Sequence, residues 1–244
     1  MVERRFEHQL DDLKEELLKM GGAVEESIAQ SVHALVERDD ALIGVVIDGG
    51  KKIDEWEVFI EEECLKLLAT QQPVARDLRL IATMIKINKD LERINDEAVN
   101  IVQRAQVLNT MPLLKPLIDI PRMAQLAQGM LKDALDAFVN RDVNLARDVC
   151  KRDEQLDLLR DQIFRELLTY LQDKSAADTV DRAIYLILVS RHLERIGENT
   201  SNVAENVVYM VEGRIVRHQK AEWWEAEEKK GEQDSTYSGK RSDE

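Results

Sequence analysis

Leu91-Glu92-Arg93-Ile94 recurs as Leu193-Glu194-Arg195-Ile196, and in each copy a second acid follows the glutamate by one helical turn, Asp96 after Glu92 and Glu198 after Glu194. A repeated stretch with matching acids marks a duplicated helical unit. The register extends outward on both sides. At a spacing of 103 residues Met20 matches Met123, Ala34 matches Ala137, Arg38-Asp39 matches Arg141-Asp142, Asp54 matches Asp157 and Ile60 matches Ile163. Beyond the connection at residues 71–77 the spacing becomes 102, so that Asn100 matches Asn202. One deletion in one loop accounts for the change.

The third helix of each unit carries a long apolar seam with alternating steps of four and three. It runs through Leu80, Met84, Ile87, Leu91, Ile94, Ala98, Ile101, Ala105 and Leu108, and again through Leu186, Val189, Leu193, Ile196, Thr200, Val203, Val207 and Met210. Such a stripe faces two partner helices in an antiparallel bundle. Leu10, Leu13, Leu17, Met20 and Val24, followed by Ile53, Trp56, Ile60 and Leu67, supply the partner stripes. The expected fold is all-α: two tandem, pseudo-symmetric three-helix bundles. Helices are expected near residues 3–38, 40–70, 74–109, 115–140, 142–172 and 176–212. The first unit would span residues 1–110 and the second 111–218, with 219–244 a polar, disordered tail that contains Trp223 and Trp224. Pro112, Pro116 and Pro121 mark the junction of the halves, and Gly21-Gly22 and Gly49-Gly50 are positions for a kink.

Composition agrees with this architecture. The 244 residues are 44% apolar, enough for a packed core, while four prolines, ten glycines and 5% aromatics argue against a turn-rich β fold. The longest apolar run, Ala183 to Val189, falls far short of the roughly 18 residues of a membrane span, and the charged amino terminus lacks a signal core. A soluble cytoplasmic protein is expected. Cys64 and Cys150 stand alone within helical patterns and read as reduced structural thiols. A net charge of −14 repels phosphate backbones and disfavours nucleic acid as a partner.

The acids carry the chemistry. Residues four apart project from one helix face, so Glu92, Asp96 and Asn100 form one row and Glu194, Glu198 and Asn202 a second, each beside an apolar seam. Like charges at this spacing cost roughly 0.2–0.5 kcal/mol, and partial burial adds to the cost. Two compensators are open. Arg93, Arg195, Arg76 and Arg79 could pair with the acids, or a multivalent metal ion could be held by carboxylate and amide oxygens. On the second and fifth helices Asp54, Glu57 and Glu61 share one face, and Asp153 and Asp157 form a further pair four residues apart, offering more oxygen ligands.

Other chemistries lack their residues. A ferritin-like di-iron site needs Glu-x-x-His, and none of His8, His33, His192 or His218 has glutamate three residues earlier. There is no phosphate-binding glycine loop, nucleophile elbow or His-Glu-x-x-His motif. His192 reads as a groove-lining or capping residue.

The segments Gln71-Gln72-Pro73-Val74-Ala75-Arg76-Asp77-Leu78-Arg79, Asp90 to Asp96, His192 to Asn199 and Val208 to Gly213 closely resemble the PhoU family of phosphate-signalling proteins, over about residues 5 to 218. The resemblance implies a non-enzymatic cytoplasmic negative regulator of the phosphate-starvation response. Such a protein links a phosphate ABC transporter to a membrane-bound sensor histidine kinase and is peripheral to the membrane through those partners. It also implies metal clusters on the third helix of each bundle, with Glu92, Asp96, Glu194 and Glu198 as ligands. Glu198 stands where Asp is common in the family and Asn95 where Gly is usual, changes expected to alter cluster geometry rather than abolish binding. Iron, zinc, manganese and magnesium all remain open, because oxygen-rich sites discriminate poorly. A homodimer is left open too. The alternative function is a metal-dependent enzyme acting on phosphate compounds.

Overall fold

A computed structural model describes residues 2–172 and 177–216. The described chain folds into six helices: α1 (Val2–Val36), α2 (Ala41–Gln71), α3 (Ala75–Leu108), α4 (Asp119–Asn140), α5 (Val143–Gln172) and α6 (Ala177–Glu212). His218, Trp223 and Trp224, with the rest of the stretch expected as a tail, lie outside the described residues. Helices α1 to α3 pack on one another, as do α4 to α6, and the two bundles meet along α3 against α6 and α1 against α4. No described helix is long and apolar enough to cross a membrane.

The seams do what their spacing requires. Every residue of both third-helix stripes is buried, and Leu17, Met20, Ile60, Leu91 and Ile94 are fully enclosed. The stripes of all six helices join in one continuous core, against which Trp56 packs partly buried. Each buried Leu, Ile or Met contributes about 1.5–3 kcal/mol. Helix α4 begins at Asp119, later than residue 115, because Pro112 and Pro116 hold the preceding chain out of helix.

The glycine pairs do not interrupt their helices: α1 and α2 run unbroken through Gly21-Gly22 and Gly49-Gly50. Close approach explains one member of each pair. A Cβ on Gly21 would stand 2.6 Å from Leu135 Cδ1, so this glycine lets α4 press against α1. A Cβ on Gly50 would stand 3.3 Å from Asn95 Nδ2 and 3.1 Å from Val99 Cγ2.

The duplicated Arg-Asp dipeptide is a helix stop followed by a helix start. Arg38 (φ 58°) and Arg141 (φ 54°) both adopt the left-handed conformation that ends a helix. The next amide in each case reaches back five residues, Asp39 N to Ala34 O at 3.1 Å and Asp142 N to Ala137 O at 3.0 Å. The same aspartates then accept amides from the first residues of the following helices. Asp39 Oδ1 accepts from Ala41 N at 3.0 Å, and Asp142 Oδ1 accepts from Asn144 N at 2.9 Å and Leu145 N at 3.0 Å.

Helices α3 and α6 lie antiparallel and are stitched by polar contacts. Arg79 Nε donates to Met210 O at 3.5 Å, Lys86 sits 4.6 Å from the Tyr209 ring centre, and Asn206 Nδ2 donates to Asp90 Oδ2 at 3.3 Å. Further along, Glu97 joins His192 Nδ1 at 2.6 Å and Arg195 Nη1 at 3.3 Å. This antiparallel pairing leaves the two acidic rows on the outer flanks of α3 and α6, toward α2 and α5 respectively.

Candidate metal centre

In the first bundle α2 and α3 bring Asp54, Glu92 and Asp96 together. Each offers a carboxylate oxygen, and the three oxygens lie within 4.8 Å of one another. Their placement follows from local structure: Ile53 and Leu91, each one residue earlier, are locked into the core, which turns the next side chain onto the helix–helix groove. Glu92 is half-buried while Asp54 and Asp96 open to solvent. Glu57, one turn along α2, is half-buried beside them, and Lys89 bridges the pair at 2.9 Å from Glu92 and 3.9 Å from Glu57.

Electrostatics record the crowding. Burial, then the charges of Glu92 and Asp54, raises Asp96 above the ordinary carboxylate range. Burial also raises Glu57, against the pull of Lys89 and with Glu61, Glu92 and Asp54 adding to the rise. Burial that the nearby Lys89 charge does not fully offset makes these carboxylates hold their protons tightly. The donor set is all oxygen, and its spread approaches two metal–oxygen bonds of roughly 2.0–2.6 Å. These residues fit a hard or borderline divalent cation.

The second row is arranged differently. Burial raises Glu194, with Glu198 and Asp157 adding to the effect, but Arg160 opposes it from 3.0 Å. Glu194 is half-buried and Glu198 exposed, while Asp153 and Asp157 are half-buried on α5. No second group of three converging metal-binding side chains forms among the described residues. Asn100 and Asn202 are half-buried one turn further along their rows.

Three of the four arginines that could have compensated the rows have other partners. Arg93 lies 3.8 Å from Asp90, Arg195 reaches Glu97, and Arg79 bonds a main-chain carbonyl of α6. Lys89 and Arg160 are the cations beside the rows instead, and each offsets part of the charge. The helical rule that residues three apart meet would have found Lys89 from Glu92. Arg160 would have emerged from the repeat register, which sets it opposite Glu57. His192 lines the groove between bundles, as expected, but its carboxylate partner Glu97 was not foreseen. Burial would raise Glu97, and the hydrogen bond and charge of His192, helped by Arg195, reverse this and hold it low.

Two pseudo-symmetric three-helix bundles, each with an acidic row on its third helix, define a class of helical-repeat protein with a duplicated acidic surface. The PhoU domain family matches residues 17–105 and again 120–207. The chain belongs to the PhoU family. It is 40% identical over 211 residues to the phosphate-specific transport system accessory protein PhoU homolog of Aquifex aeolicus, covering 86% of this chain and 95% of that one. It is 39% identical over 218 residues to the protein of the same name from Clostridium acetobutylicum, covering 88% and 98%. The crystal structure of PhoU from Pseudomonas aeruginosa superposes with a TM-score of 0.82 at 37% identity, covering 86% of this chain and all of that one. The phosphate transport system regulatory protein PhoU from Streptococcus pneumoniae superposes with a TM-score of 0.80 at 26% identity, covering 86% and 99%.

Proposed function

We propose that this chain is a cytoplasmic, non-catalytic adaptor of a phosphate transport system. It reports the state of a phosphate ABC transporter to a membrane sensor histidine kinase and so represses the phosphate-starvation response. The observation that carries this reading is the two-fold match to the PhoU domain across both bundles, together with relatives named as accessory and regulatory proteins of phosphate transport. Those names support an adaptor over a metal-dependent enzyme acting on phosphate compounds.

In this reading Asp54, Glu92 and Asp96 hold a divalent ion in the first bundle, and Glu194 and Glu198 with Asp153 and Asp157 hold one in the second, with Asn100 and Asn202 as outer oxygen donors. A bound ion adds positive charge beyond what Lys89 and Arg160 supply to the half-buried rows, and fixes the facing turns of neighbouring helices. The rows then present a rigid surface to a partner. The functional test is a deletion strain carrying a phosphate-starvation promoter fused to a reporter. Loss of the gene is expected to switch the reporter on in high phosphate, and the intact gene to silence it again; a reporter that stays silent without the gene contradicts the proposal.

A further inference from the structure

The two acidic rows are unequal, and the repeat register shows where. Advancing each position by 103 residues on the second helix and 102 on the third sets Asp54 opposite Asp157, Glu92 opposite Glu194, Asp96 opposite Glu198 and Lys89 opposite Arg191. Three places break the match. Glu57 becomes Arg160, Glu61 becomes Phe164, and the facing pair Gly50 and Asn95 becomes Asp153 and Gly197. In the first unit Asn95 Nδ2 lies 3.3 Å from where a Cβ on Gly50 would stand. In the second, Asp153 Oδ1 lies 3.5 Å from the corresponding point on Gly197. An apolar side chain packs closest to each glycine, Val99 at Gly50 and Leu156 at Gly197, and the polar group beside it comes from opposite helices, an amide in one unit and a carboxylate in the other.

The exchange at Glu57 and Arg160 matters more. Arg160 places Nη1 3.0 Å from Glu194 and Nη2 3.1 Å from Asp161 and 3.8 Å from Asp157, so its guanidinium spans α5 and α6. A planar, permanently charged fork held by several carboxylates is hard to displace. Lys89 is a weaker occupant, since it lies on the same helix as Glu92, is half exposed, and can turn its ammonium into water. In formal charge, Asp54, Glu57, Glu61, Glu92 and Asp96 against the Lys89 ammonium leave the first row four negative charges. Asp153, Asp157, Asp161, Glu194 and Glu198 against the guanidiniums of Arg160 and Arg191 leave the second three.

We infer that Arg160 is a resident cation of the second row, occupying Glu194 until a divalent ion displaces it, so that the first row loads at lower metal concentration than the second. The inference rests on the metal reading above. An incoming dication meets a carboxylate cluster opposed only by the half-exposed Lys89 ammonium in the first bundle, and in the second must push aside a guanidinium held by several carboxylates or sit beside it.

The test is titration of chelator-stripped, full-length protein with Mn2+, a hard probe suited to oxygen ligands, with free Mn2+ read by electron paramagnetic resonance. Two binding phases are expected, separated by roughly tenfold or more, the scale on which a ligand's partners alter metal affinity. Glu92→Gln with Asp96→Asn should remove the tight phase, and Glu194→Gln with Glu198→Gln the weak one. Arg160→Gln removes a competing positive charge and should tighten the weak phase about tenfold, leaving the tight phase in place, whereas Arg160→Lys should leave the weak phase weak. A melting curve on each variant verifies that it is folded. A single phase shared equally by both rows, or an Arg160→Gln variant whose weak phase does not move, overturns the inference while the metal reading stands. Protein that binds no Mn2+ in either row overturns the metal reading and this inference with it.

Discussion

Asp96 is the residue at which the cost of the first acidic row is most visible. Its carboxyl binds a proton more tightly in the folded chain than an ordinary aspartate does, through burial and then through the charges of Glu92 and Asp54. A raised folded-state value means that the ionised group destabilises the fold at neutral pH, and that the penalty is relieved as pH falls through that value. In metal-free protein Asp96→Asn should therefore melt slightly higher than wild type at pH 7, by about 0.2–0.5 kcal/mol, the cost of like charges one turn apart. The difference should shrink toward pH 4, and a variant that melts lower at pH 7 contradicts this account. Glu97, one residue along, has the opposite sign. Its depressed value adds stability above the ordinary carboxylate range, lost as pH falls through the folded-state value. The positions of the acids were legible in the sequence because spacing alone puts Glu92 and Asp96 on one face. Their partners were less so, since the helix from which a cation arrives depends on packing.

Among the elements, the helices and their seams were the most legible part of the molecule. Steps of three and four residues mark Leu80 to Leu108 and Leu186 to Met210 as buried stripes, and the structure buries all of them. Helix ends were harder to read. Arg38 and Arg141 take the left-handed conformation without the glycine that usually signals it, so the repeated Arg-Asp marked the register but not the cap it forms. The glycines misled in turn, because Gly21 serves close packing against Leu135 rather than a bend. Asp142 is the element-scale test. Its carboxylate takes two amide hydrogen bonds at the start of α5, so Asp142→Ala should cost about 1 kcal/mol. Asp142→Asn should recover much of the loss, measured by urea denaturation. An alanine variant as stable as wild type would mean that the cap carries no weight.

At the scale of the whole molecule the duplication supplies two similar frames and lets their sites diverge. The bundles share one core and meet along α3 and α6, so whatever rigidifies one acidic row bears on helices continuous with that contact. The fold was legible from the repeat and the family from the motif segments around it, but the inequality of the rows lies in the contact of Arg160 with Glu194. Its meaning depends on a contact between α5 and α6. The claim on which the rest depends is that these carboxylates hold metal. Elemental analysis of full-length protein purified without chelator tests it most directly, comparing wild type with the double variant Glu92→Ala and Glu194→Ala. The account predicts transition metal well above trace stoichiometry in wild type and a sharp fall in the variant; equal metal content in the two proteins contradicts it.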